Sequence, residues 1–86
     1  MRPLEILSFE DLPLLLKTLS PARWGLLEKL KKEGPLSIYE LARRLQRDYK
    51  NVHTDVTQLA AIRLIEREAD GRITVRWELL RAELKL

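Results

Sequence analysis

The amino-acid sequence predicts an α+β fold that is mostly α. Three observations lead there. Apolar residues recur at helical spacing through the middle of the chain, a Ser or Asp stands where each periodic stretch begins, and the period shortens to two after Leu64, around an Asp70-Gly71 pair. A chain of 86 residues holds one domain. Its 45% of hydrophobic residues suffices for a core. A domain this small buries only a limited fraction of its surface, so association into a homodimer is expected to add stability.

Each element has its own signal. Leu4 to Ser8 alternates weakly, with Leu4 and Ile6 on one side, as in a short strand. The helix that follows cannot be capped by Ser8, because Pro13 would then sit inside it and clash with the preceding turn. A cap at Asp11 leaves Pro13 in the first turn, where no amide is needed, and predicts a helix over Leu12 to Leu19. Ser20-Pro21 starts the next helix, with Trp24, Leu27 and Leu30 at helical spacing, Leu26 flanking them, and Gly34-Pro35 as its end. Ser37 and Glu40 have the spacing of a capping box, in which each side chain satisfies the other residue's amide. The helix they open runs to Leu45 and buries Ile38, Leu41, Ala42 and Leu45. After a tight connection at Gln46-Arg47, Asp48 caps a helix that ends near Ile62 and turns Val52, Val56 and Leu59 inward. Asp70-Gly71 between two β-rich runs predicts a hairpin, with Ile73, Val75 and Trp77 on one face. Residues 81–86 alternate again as a strand; a helix over Glu78 to Leu84 is the competing reading.

Composition excludes several functions. With no cysteine there is neither a disulfide framework nor a thiolate zinc site, and a single His offers no metal-ligand set. No cofactor is expected. The longest apolar run, Leu12 to Leu16, stops at Lys17, far short of a membrane span. The N-terminus lacks the pattern of a signal peptide, which predicts an intact cytoplasmic protein. Glu66, Glu68 and Asp70 form an acidic cluster without a second group to divide acid and base roles, and no phosphate-binding Gly loop or nucleophile–base set occurs. The chain is not expected to be an enzyme. Its net charge of +3 is modest, but the excess is uneven: +1 over residues 1–34, +2 over residues 35–64, and zero beyond. The middle of the chain, around Arg43, Arg44, Arg47 and Lys50, has the electrostatic footprint of phosphate contact.

Two short helices joined by a turn of about four residues and followed at once by a hairpin is the order of a winged helix-turn-helix. Residues 20–77 form this unit, with a recognition helix at about 48–62 and a wing at 65–77. Residues 1–19 add a strand and helix and residues 78–86 a C-terminal strand or helix; both are expected to serve dimerisation, with Leu14, Leu15, Leu16, Leu79, Leu80, Leu84 and Leu86 exceeding what a minimal unit needs.

Leu36-Ser-Ile-Tyr-Glu-Leu-Ala-Arg-Arg-Leu45, Asp48 to Leu59, and Leu64-Ile-Glu-Arg67 resemble the MarR-like and ArsR-like winged-helix transcriptional regulators over residues 20–77. The stretch from Asp48 to Val56 with its Asp-Gly-Arg wing looks closest to a small prokaryotic subfamily, some of whose members resemble antitoxins. The sequence departs from the pattern at Arg63, where Gly is usual and ends the recognition helix in a left-handed conformation. The resemblance implies a sequence-specific regulator that binds double-stranded DNA.

The helical geometry then assigns roles. With Val52, Val56 and Leu59 inward, Lys50, His53, Thr54 and Thr57 face outward as base-contacting candidates, with Tyr49 beside them on the backbone. Asn51 is placed nearer the buried side. Arg43, Arg44 and Arg47 flank the turn and are expected on phosphates, as is Arg72 at the wing tip, with Arg67 and Arg76 on the same hairpin. Trp24 and Trp77 are expected in the core or an interface. The alternative function is a winged-helix protein–protein interaction module, such as the antitoxin of a toxin–antitoxin pair.

Overall fold

The computed structural model describes residues 3–83. Its elements run β1 (Ile6–Phe9), α1 (Leu12–Thr18), α2 (Pro21–Glu33), α3 (Ile38–Leu45), α4 (Tyr49–Ala61), β2 (Glu66–Arg67), β3 (Ile73–Thr74) and β4 (Leu79–Ala82). The fold is a small α+β arrangement, about half helical.

Each helix starts where a short polar side chain caps it. Asp11 accepts from the Leu14 amide at 3.0 Å, Ser20 from Arg23 at 3.1 Å, Ser37 from Glu40 at 3.0 Å and Asp48 from Asn51 at 3.3 Å. Only half of the expected capping box forms. The Glu40 carboxylate does not reach back to Ser37 but lies against Arg44 and Arg43, because charged partners one turn on bind it more strongly than an amide.

Helices α3 and α4 both end in left-handed residues that are not glycine, Gln46 at φ 54° and Arg63 at φ 66°. At each end the two following amides fold back on the helix. Gln46 N–H bonds Arg43 O and Arg47 N–H bonds Ala42 O; Arg63 N–H bonds Ala60 O and Leu64 N–H bonds Leu59 O. This is the Schellman pattern. Arg63 therefore terminates α4 in the conformation that Gly would otherwise supply. The turn between α3 and α4 is three residues, Gln46 to Asp48.

The core gathers one face from each helix: Leu15 from α1, Leu26, Leu27 and Leu30 from α2, Leu41 and Ala42 from α3, and Val52, Val56 and Leu59 from α4. Leu36, Leu64, Ile65, Ile73 and Val75 close it. Ile38 and Leu45 are only half-buried at its edge. Trp24, expected on the buried stripe of α2, is 42% exposed. Leu26 takes its inward place, and Trp24 leans on Trp77 with ring centroids 6.2 Å apart.

The hairpin pairs Glu66 with Thr74 and Arg67 with Ile73. Its loop has three residues, Ala69 to Gly71. Gly71 N–H bonds Glu68 O at 3.0 Å, Glu68 N–H bonds Arg72 O at 2.8 Å, and Gly71 takes φ 87°. Gly is needed there because the loop requires a left-handed residue. Ile73 also exchanges both backbone hydrogen bonds with Leu36, just ahead of α3. That bridge ties the hairpin to the helices.

β1 and β4 form a separate parallel pair, Ile6 opposite Leu79 through Phe9 opposite Ala82. The inward residues are Leu7 and Phe9; Leu4 and Ile6 are exposed. β4 begins two residues earlier than expected, and the competing helix does not form over Leu79–Ala82. The predicted contributions of Leu84 and Leu86 lie outside the described residues. No helix among the described residues is long and apolar enough to cross a membrane.

Candidate nucleic-acid interface

Helix α4 has two chemically distinct faces. Val52, Val56 and Leu59 are fully buried, which turns that side of the helix toward the core. The opposite face carries Tyr49, Lys50, His53, Thr54 and Thr57, all exposed. Tyr49, Lys50, His53 and Thr54 line one shallow, open depression. Tyr49 and His53, one turn apart, lie with ring centroids 5.9 Å apart. Asn51 is also exposed, contrary to its expected place near the buried side, and its amide is the one capped by Asp48.

The hydroxyls on this face are already oriented. Thr54 Oγ1 donates to Lys50 O at 3.0 Å, and Thr57 Oγ1 to His53 O at 2.9 Å. A hydroxyl whose proton is bonded to the helix keeps its oxygen lone pairs as acceptors. The two threonines thus present acceptors and methyl groups, while Lys50 presents donors. Lys50 forms no ion pair among the described residues.

The arginines expected on phosphates divide into groups. Arg43 is 67% exposed on its side chain, with a loose contact to Glu40 at 3.6 Å. Arg67 is exposed and forms no ion pair among the described residues. The others are engaged. Arg44 spans Glu33 at 3.0 Å and Glu40 at 3.3 Å. The Glu40 and Glu33 bonds hold its guanidinium pKa above the ordinary value. Glu33 is held below the usual carboxylate range, first by Lys29 and then by Arg44. Arg72 bonds Asp70 at 2.7 Å and lies 4.0 Å from Glu68, and Arg76 bonds Glu66 at 2.9 Å. The acidic cluster of the hairpin is therefore paired in place with the hairpin's own arginines. Asp70 is pushed below the usual range, first by the Arg72 amide and then by its side chain.

Arg47 turns inward. Its Nη2 bonds Asp55 Oδ2 at 2.7 Å, and its Nη1 is buried without a hydrogen-bond partner. Asp55 also accepts from Arg23 Nε at 3.0 Å. Asp55 and Arg23 were not legible as site residues, although one signal existed. A cation in the first turn of a helix opposes the helix dipole, so Arg23 called for an anion nearby. Among the described residues no group of three or more His, Cys, Asp or Glu side chains is placed to hold a metal ion.

A sequence model of the HVO_A0114 family matches residues 18–82. The match leaves out β1 and most of α1 and takes in every other element, including the whole of α4 and the hairpin. Neither the curated proteins nor the solved structures offer a match.

Proposed function

The chain belongs to the HVO_A0114 family, and we propose that it is a sequence-specific regulator of transcription that binds double-stranded DNA through a winged helix-turn-helix. The observation that carries this reading is the outward face of α4. It is polar, exposed and held by a fully buried opposite face, with two threonine hydroxyls pre-oriented and Lys50 in no ion pair among the described residues. Those are the donor and acceptor types that meet base edges in the major groove. The order α2, Leu36 bridge, α3, α4, hairpin supports it, as does the resemblance of residues 20–77 to MarR-like and ArsR-like regulators. In this reading Lys50, His53, Thr54 and Thr57 contact bases. Tyr49, Arg43 and Arg67 contact phosphates directly, while Arg44, Arg72 and Arg76 must first leave carboxylates. The cytoplasm is the compartment such a role requires.

The protein acts as a homodimer in this proposal. A two-stranded parallel sheet with one face uncovered is unusual, since parallel pairs are normally buried on both sides. Here Leu4, Ile6 and Leu79 are exposed, as are Leu14 and Leu16 on α1. Two copies of α4 about 34–36 Å apart would match a palindromic site. A monomer by light scattering at tens of micromolar would refute the dimer.

A second reading, a protein-binding module such as an antitoxin, draws on one observation. Two of the hairpin's three arginines, Arg72 and Arg76, are paired with acids of the same hairpin, so the wing offers little net positive charge to a phosphate backbone. A salt-dependent titration on random DNA and on DNA from upstream of the gene decides between the two. DNA binding gives a log–log slope of roughly −0.9 per phosphate neutralised. A flat response, or no binding at low salt, removes the first reading.

A further inference from the structure

We infer that Asp55 is the positioning residue of α4, and that the Arg23–Asp55–Arg47 cluster sets the angle at which the outward face meets its ligand. The inference rests on the reading of α4 as the DNA-contacting helix.

Asp55 lies on the flank of α4, three residues beyond Val52 and one before Val56, with its side chain 14% exposed. Both carboxylate oxygens are used. Oδ1 accepts from Arg23 Nε of α2 at 3.0 Å, and Oδ2 from Arg47 Nη2 of the turn at 2.7 Å. Arg23 reaches further: its Nη1 donates to Thr18 O, at the last residue of α1, at 2.8 Å. One carboxylate therefore joins α4 to α2 and to the turn, and through Arg23 to the end of α1.

Apolar packing and this cluster do different work. Val52, Val56 and Leu59 hold α4 against the core, but apolar contact is non-directional and allows small rotations. Charge-assisted hydrogen bonds from two arginines on different elements are directional and define one rotation. Lys50 and Thr54 lie five residues and one residue before Asp55 on the same helix, so a change in that rotation moves them directly. Phosphate contacts tolerate such a change better than base contacts do, because base edges demand donor and acceptor alignment. The cluster should therefore matter for discrimination between sequences more than for affinity to DNA in general.

The test uses the full chain with Asp55→Asn, which keeps the shape and removes the charge. Arg23→Lys, which keeps the charge and loses the fork, is the second variant should Asp55→Asn fail to fold. In the free protein, amide hydrogen exchange is followed at Val52, Val56 and Leu59 of α4 and at Leu26, Leu27 and Leu30 of α2. Protection is expected to fall about tenfold more in α4 than in α2, the mark of local rather than global loosening. On DNA, the ratio of specific to random affinity is expected to fall about tenfold, the scale on which one well-aligned base-edge hydrogen-bond pair discriminates. Random affinity should stay the same or rise, because an acid has been removed. A merely structural role would lower both affinities together and leave the ratio unchanged, which overturns the inference. If the wild-type protein binds no DNA, the proposed function fails, and equal loosening of α4 and α2 would independently overturn the positioning role of Asp55.

Discussion

Replacing Leu59 with Ala tests whether α4 is held as described. Leu59 is fully buried, and so are its neighbours in the stripe, Val52 and Val56. Leu41 and Leu64, which belong to the same cluster, are also at or below 1% exposed. Such a site has little freedom to collapse around a missing isopropyl group, which puts the cost at about 3–5 kcal/mol. Leu59 is also the residue whose carbonyl accepts from the Leu64 amide at 3.0 Å at the end of α4. Ala keeps that bond but not the apolar packing that accompanies it. For a chain of this size the whole folding free energy is about 4–13 kcal/mol, so the change removes a large share. The thermal midpoint should drop by roughly 12–40 °C. Urea unfolding followed by far-ultraviolet circular dichroism should show a lower midpoint at unchanged slope. Thr57→Ala, two residues away on the outward face, should stay within about 0.5 kcal/mol of wild type. A Leu59→Ala cost below about 1 kcal/mol, or equal costs at the two positions, would refute the division of α4 into a seated face and a free one.

Other consequences can be checked in the same way. Asp48→Ala removes the cap on the Asn51 amide and should cost about 1 kcal/mol in urea unfolding; no change would mean that α4 starts without it. Gly71→Ala meets no atom within 4 Å, so its cost comes from φ 87° alone and should be about 1 kcal/mol. A stabilised Gly71→Ala variant would contradict the three-residue loop. Asp70 and Glu33 both have folded pKa values below their ordinary range. A depressed carboxylate contributes stability that is present above its unfolded pKa and lost as pH falls through the folded one. The thermal midpoint should therefore hold down to about pH 5 and fall below about pH 4, with a shallower acid limb in Asp70→Asn. A midpoint that rises on acidification below that point would contradict the pairing.

The helices were legible because their signals are local. Asp11, Ser20, Ser37 and Asp48 each cap the helix expected of them, and Pro13 and Pro21 stand in first turns. The outward face of α4 was legible because three buried residues at helical spacing leave only one side free. The arginines were less legible, because sequence reports a charge but not its partner. Arg44, Arg47, Arg72 and Arg76 are each bound to a carboxylate, and for Arg47 that carboxylate is eight residues away on the next helix. The same limit hid Arg23 and Asp55, which are 32 residues apart. The Ser37–Glu40 box forms only in half for a related reason: Glu40 has better partners on its own helix. The pairing of β1 with β4 joins the two ends of the described chain, and nothing local in either segment announces it.

Discrimination by α4 is the claim on which most depends. Lys50→Ala should lower affinity for the specific site by roughly 1–3 kcal/mol while leaving random-DNA affinity close to that of wild type. Measured by fluorescence anisotropy at fixed salt on both DNAs, that difference is what the account predicts. Equal losses on the two would make Lys50 a phosphate contact, and no loss on either would contradict the assignment of this face as the reader.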